Sequence, residues 1–166
     1  MELKKRKSLR LKGYDYGQTG SYFLTLCVKD RKPLLSSIHV GRGALTPPHV
    51  VLSPAGELAK QHIKSIHRVY SNVTVDRYVI MPNHVHLLVT LNDCNDTGGL
   101  RAARPTVHTI VKSFKRMVTR ELGSSIWQTS FYDHIIRDEA DFLNICRYID
   151  ENPAKWAEDT LFSPEC

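Results

Sequence analysis

At 166 residues, 42% hydrophobic and 24% charged, the chain has the size and apolar content of one domain, spanning residues 1–166, with an ordinary buried core. No apolar run approaches the ~18 residues of a membrane span. The basic start MELKKRKSLRLKGYDYG lacks the apolar stretch of a secretory signal, so no membrane partner and a cytoplasmic location are expected. The net charge of +6 is unevenly placed: Lys4, Lys5, Arg6, Lys7 and Arg10 crowd a basic N-terminal arm (residues 1–17), and Lys112, Lys115, Arg116 and Arg120 recur at helical spacing. Both groups suit a polyanion such as nucleic acid, and both equally suit a solvated tail and a solvated helix face.

SYFLTLCVKD (21–30) alternates and is rich in aromatic and β-branched residues, which predicts a strand. Residues 31–52, with GRGALTPPHVV, read as irregular. Ser53, Pro54 and Glu57 then form a helix start, and Leu58, Ile63 and Ile66 continue it at helical spacing. VTVDRYVIM (73–81) and HVHLLVTL (84–91) are strands joined through Pro82 and Asn83, hence an antiparallel hairpin. A polar, glycine-containing connection (92–105) leads to an amphipathic helix over 106–122, with Val107, Ile110, Val111, Phe114 and Val118 as its apolar stripe and Gly123 as its C-cap. A short strand is expected around HIIR. A last helix runs from about Asp138 to Pro153 and buries Phe142, Ile145 and Ile149. The order β-α-β-β-α-β-α is that of an α+β, ferredoxin-like split βαβ sandwich: a four-stranded antiparallel sheet with helices on one face, plus a C-terminal helix. The other face of such a sheet is free for chemistry.

Cys27, Cys94, Cys146 and Cys166 include no C-x-x-C, against a zinc ribbon. Cys27 and Cys146 sit in apolar patterns and read as small buried hydrophobes.

PNHVHLL places His84 and His86 two apart in a strand, so both side chains share one face, with Cβ atoms roughly 6.5–7 Å apart. Two imidazoles at that separation can tilt toward one cation, while Val85 points into the core. Two histidines on a solvated sheet face would satisfy the same pattern. Tyr148 and Asn152, four apart, share a face of the last helix. The Asn152 amide oxygen is a hard ligand suited to magnesium or manganese; a structural tyrosine and a C-terminal cap are the plainer readings of this pair. Among aromatic residues, Trp127 is assigned to the core, and Tyr14, Tyr16 and Tyr132 stay open between packing and base stacking. Asp133 and His134 are assigned to orienting or packing roles and not to proton transfer.

MPNHVHLLV followed by YIDENP resembles the REP-associated tyrosine transposases of the single-tyrosine, His-hydrophobic-His (HUH) superfamily. RLKGYDYGQTGSYFLTLCVKDRKPLL, VKSFKR and IWQTSFYDHIIRDEADFLNICRYIDENPAKW extend the resemblance over most of the chain, while residues 41–50 and 92–105 depart from the family's patterns. The resemblance implies Tyr148 as nucleophile, His84, His86 and Asn152 as ligands of Mg2+ or Mn2+, single-stranded or hairpin DNA as partner, and a monomer or a homodimer. The implied activity is a metal-dependent DNA endonuclease and strand-transferase working through a 5′-phosphotyrosine. Two other readings stay open on sequence: a ferredoxin-like module that binds single strands without cutting, and a hydrolase that uses water. The family reading itself divides between a self-mobilising element and a resident processor of chromosomal palindromes.

Overall fold

The computed structural model describes residues 13–39, 48–93 and 105–162. Lys4, Lys5, Arg6, Lys7 and Arg10 therefore lie outside the described residues, as do Cys94 and Cys166.

Strand β1 (Gly20–Cys27) is the centre of the main sheet. It pairs antiparallel with β5 (His84–Leu91) along its full length, from Gly20 opposite Leu91 to Cys27 opposite His84. On its other side it pairs with β6 (Tyr132–Ile135), and β4 (Val73–Ile80) pairs with β5, giving the order β4-β5-β1-β6. This is the strand order of the split βαβ arrangement. Alternation along β1 and β5 sorts the residues. Tyr22, Leu24, Leu26, Val85, Leu87 and Val89 are fully buried on one face. Phe23, Thr25, His84 and His86 occupy the other.

Helices α1 (Pro54–Val69) and α2 (Val107–Leu122) cover the first face. Each begins where the sequence supplies a cap: the Ser53 side chain accepts from Gly56 N (3.1 Å) and Thr106 from Thr109 N (3.1 Å), each worth about 1 kcal/mol. Val107, Ile110, Val111, Phe114 and Val118 are buried, as the stripe predicts. Gly123 closes α2 at φ 72°, the left-handed value that favours glycine. His62 of α1 and Glu121 of α2 meet at 2.8 Å and tie the two helices.

Three expectations change. Residues 31–52 are not all irregular: β2 (Ser36–His39) and β3 (His49–Leu52) pair as a separate two-stranded sheet. SSIH carries no apolar alternation, so its period is unreadable. The strand expected around HIIR sits at Tyr132–Ile135, two residues earlier. The second face of the sheet is also not free: α3 (Glu139–Glu151) packs there against β4 and β5. Of its expected apolar face, Ile149 is buried, whereas Phe142, Ile145 and also Cys146 are half-buried. Cys27 is buried as expected.

The small sheet is locked to α1 at Gly56, where an added Cβ would collide with the Leu35 carbonyl. Gly56→Ala is therefore expected to lower stability by about 1–3 kcal/mol, the usual scale of overpacking, read as a fall in urea midpoint with unchanged slope.

Candidate active site

The hairpin turn brings the histidines to the edge of β1. Met81 N donates to His84 O, Val28 N to Asn83 O, and Leu35 N to Pro82 O, so the turn is fastened to two neighbouring segments. His84 is 0% and His86 2% exposed, which removes the solvated-face reading of the pair.

Their protonation follows from their partners. Asn83 Nδ2 donates to Leu161 O (2.8 Å), which turns Asn83 Oδ1 toward His84 Nδ1 (2.8 Å). An amide oxygen only accepts, so His84 carries its proton on Nδ1 and leaves Nε2 bare. His86 Nδ1 lies 2.9 Å from the hydroxyl of Thr25, its cross-strand partner. The hydroxyl can donate or accept there, and in the tautomer where it accepts, His86 Nε2 is bare as well. The two Nε2 atoms face each other at 3.0 Å. Burial pushes both imidazoles down to about 3; the Arg31 charge adds to this at His84, and His84 adds to it at His86. Both rings are neutral at physiological pH, the form that ligates metals.

Two oxygen donors complete the cluster. Asp159 Oδ2 is 4.0 Å from His84 Nε2, and its carboxylate is almost fully enclosed. His84, His86 and Asp159 each bring one ligand atom to within 4.8 Å of the others. Asn152, 3% exposed, donates through Nδ2 to Asp159 Oδ2 (3.1 Å), leaving its Oδ1 buried without a hydrogen-bond partner. Two imidazole nitrogens, a carboxylate and an orphaned amide oxygen thus gather in one buried cluster, a donor set suited to a cation. Ligands about 2.1 Å from one ion and at right angles lie about 3 Å apart, the spacing of the two Nε2 atoms, so the histidine pair with Asp159 could hold a divalent ion.

Tyr148 sits one helical turn before Asn152. Its ring centroid is 5.4 Å from that of His86 and 5.8 Å from that of Phe23, edge-on to the latter. Burial raises the phenol pKa, the Asp159 charge raises it further, and the Asn152 amide offsets part of the rise. A cavity of about 500 Å³ opens beside the ring, walled by Phe23, Thr25, Tyr132, Ile145 and Arg31. His84, His86, Asn152 and Tyr148 are thus brought together within one chain.

The other sequence candidates are dispersed. Lys112, Arg116 and Arg120 are exposed on α2, across the sheet from the histidines. Lys115 is half-buried: its ammonium donates to Gln128 O (2.8 Å) and Ser130 O (2.9 Å), and burial pushes its pKa down to about 8. Trp127 is core, against Phe114. Tyr14 and Tyr16 cluster with Tyr22, while Tyr132 stays half exposed at the cavity. His134 pairs with Asp141 at 2.9 Å, an orienting contact at the start of α3. Asp133 pairs in register with Leu24, and its Oδ1 is buried without a partner. Sequence reasoning missed Asp159, Thr25 and Asn83. Thr25 carries the one readable signal, a polar residue on the histidine face of an apolar strand.

The fold and the family match together define an enzyme of the tyrosine transposase kind. The chain belongs to the family described as Transposase IS200 like, which matches residues 18–152. A Haemophilus influenzae protein of unassigned role is 34% identical over 174 residues, covering 95% of this chain and 93% of that one. The REP-associated tyrosine transposase of Escherichia coli K12 is 29% identical over 82 residues, 49% of this chain and 44% of that protein. In fold, the chain is similar to a REP-associated tyrosine transposase solved bound to a REP hairpin, with a TM-score of 0.56 at 22% identity over 82% of this chain and 67% of that one.

Proposed function

We propose that this transposase is a metal-dependent single-stranded DNA endonuclease and strand-transferase that acts at DNA hairpins through a 5′-phosphotyrosine on Tyr148. One observation carries the reading: Tyr148 stands beside a buried cluster, built from His84, His86, Asp159 and Asn152, that could hold a cation.

His84 and His86 would hold Mg2+ or Mn2+ with oxygen from Asn152 and Asp159. When bound, the ion supplies positive charge for a nonbridging phosphate oxygen and opposes the Asp159 charge at the phenol. Tyr148 attacks phosphorus in line, its oxygen forms the new ester, and the bond to the 3′ oxygen breaks. The phenol proton passes to water or a phosphate oxygen. The 3′ oxygen leaves as a hydroxyl, and the 5′ end stays on the protein. Because one ester replaces another, a second strand's 3′-hydroxyl can reverse the step without ATP. Thr25 and Asn83 hydrogen-bond the two Nδ1 atoms and would orient both rings with Nε2 inward before substrate arrives.

The hairpin-bound transposase of similar fold supports a hairpin substrate here. Lys112, Arg116 and Arg120, with Lys115 fixed by its two carbonyl bonds, lie across the sheet from Tyr148 and would hold duplex distant from the cut, and the basic arm with Lys4, Lys5, Arg6, Lys7 and Arg10 would add backbone contacts. Such contacts place the duplex without reading its sequence. The catalytic unit would be a single domain. The test is incubation with 5′- and 3′-labelled single-stranded hairpins and Mg2+ or Mn2+. A denaturation-resistant adduct carrying the label downstream of the cut is expected. Cleavage that leaves no adduct would assign the site to a water-using hydrolase instead.

A further inference from the structure

β1 leaves the sheet beside the histidines, because Cys27 lies opposite His84. Directly after it the chain makes a single 3-10 turn, Lys29–Arg31, in which Asp30 (φ 57°) and Arg31 (φ 55°) both take left-handed backbone conformations. Side chains with a Cβ rarely adopt this region, and aspartate tolerates it better than arginine. The turn is held in place from outside: Lys29 N donates to Ile126 O (2.7 Å), and Gln128 N to Cys27 O (2.9 Å).

The outcome of that turn is the position of Arg31. It walls the Tyr148 cavity, and it also walls a second, polar cavity of about 530 Å³ shared with Lys29, Gln128, Thr129 and Ser130. Arg31 is exposed, and among the described residues its guanidinium forms no ion pair. Among the described residues around the Tyr148 cavity it is the only lysine or arginine; the others are aromatic, aliphatic, hydroxyl or imidazole groups. A phosphodiester that enters this cavity to reach Tyr148 therefore meets one protein cation on the described walls, Arg31, to offset the charge of a neighbouring backbone phosphate. A guanidinium, planar and always charged, suits two phosphate oxygens at once.

We infer that Arg31 is a phosphate-binding residue of the site: it grips a backbone phosphate adjoining the one Tyr148 attacks and passes the single strand into the polar cavity beyond. The inference rests on the DNA-cleaving reading above for its role in the reaction, and on charge alone for its role in binding.

Two readouts separate these roles. Binding is measured first, in a Tyr148→Phe background without added metal, as the slope of log affinity against log salt for a single-stranded oligonucleotide. Arg31→Gly should flatten that slope by about 0.7, the share of one phosphate contact on a single strand. Adduct formation is measured second, with Tyr148 intact, on a hairpin oligonucleotide and on the same hairpin with a neutral methylphosphonate at each phosphate flanking the cut in turn. Arg31→Gly should slow adduct formation about 100-fold on the natural hairpin, the scale of one lost oxyanion donor. At the contacted position the methylphosphonate should slow the wild type similarly and the variant no further. Glycine accepts φ 55°, so the melting temperature should hold or rise while activity falls. Arg31→Lys should restore part of the salt slope and little of the rate. An unchanged salt slope, or equal methylphosphonate penalties in both proteins, overturns the inference while leaving the cleavage reading intact. A flattened slope in a protein that forms no adduct keeps the phosphate contact and defeats the cleavage reading.

Discussion

Tyr148→Phe is expected to abolish the protein–DNA adduct and to leave hairpin binding within about twofold. The substitution removes one oxygen. The ring contacts with Phe23 and His86 persist, because both are made by the aromatic faces and edges and not by the hydroxyl. Tyr148 is 43% exposed, so no buried polar partner is orphaned in the core by the change. The expected rate loss is on the order of 10⁴-fold or more, the scale of removing a covalent nucleophile. The measurement is a gel-stable adduct followed over time, with binding followed in parallel by fluorescence anisotropy. A binding module would be untouched in both assays, having no adduct to lose. A water-using hydrolase would keep cutting. Only a tyrosine nucleophile separates the two readouts.

His86→Ala is expected to remove metal binding and, with it, cleavage. His86 supplies one of two nitrogens that face each other at 3.0 Å, and among the described residues no further histidine joins the cluster as a replacement. Trp156 provides an internal reporter, its ring centroid 5.9 Å from that of His84. Mn2+ titration should quench the fluorescence of the wild type and not that of the variant. The ion should also raise the wild-type melting temperature, by about 2.7 kcal/mol of stability at a hundredfold excess over its dissociation constant, and should not raise that of His86→Ala. Thr25→Val keeps the ligand and removes only its orienting partner. Its expected cost is about 10–100-fold in metal affinity, the range for such supporting hydrogen bonds, so it should fall between the wild type and His86→Ala. Equal quenching in all three proteins would place the ion elsewhere.

Much of this was readable before any coordinates. The period of α2, the capping residue Ser53, the hairpin around Pro82 and Asn83 and the shared face of His84 and His86 are local consequences of spacing, and the structure has them as expected. What was not readable depends on which distant segments meet. Asp159 lies beyond the end of α3 and is carried to the histidines by a short 3-10 turn anchored by buried Trp156. No periodic pattern links it to residue 84. The covering of the second sheet face has the same origin: α3 has a partly apolar stripe, but sequence alone does not say which surface receives it. β2 and β3 escaped because four-residue strands carrying serine and histidine have no period to detect. The basic stripe of α2 is a further lesson. Spacing identified a charged face, while only the packing of α2 on the opposite side of the sheet shows that this face is remote from Tyr148.

The central claim is that two imidazole nitrogens and side-chain oxygen converge on one divalent ion beside a tyrosine. Anomalous diffraction from crystals soaked in Mn2+ tests it most directly. The account predicts a single strong peak within coordination distance, about 2.2 Å, of both His84 Nε2 and His86 Nε2, with oxygen from Asn152 or Asp159 as a third protein ligand. A histidine pair that stays metal-free at saturating Mn2+, or a peak bound only by surface carboxylates, would contradict it.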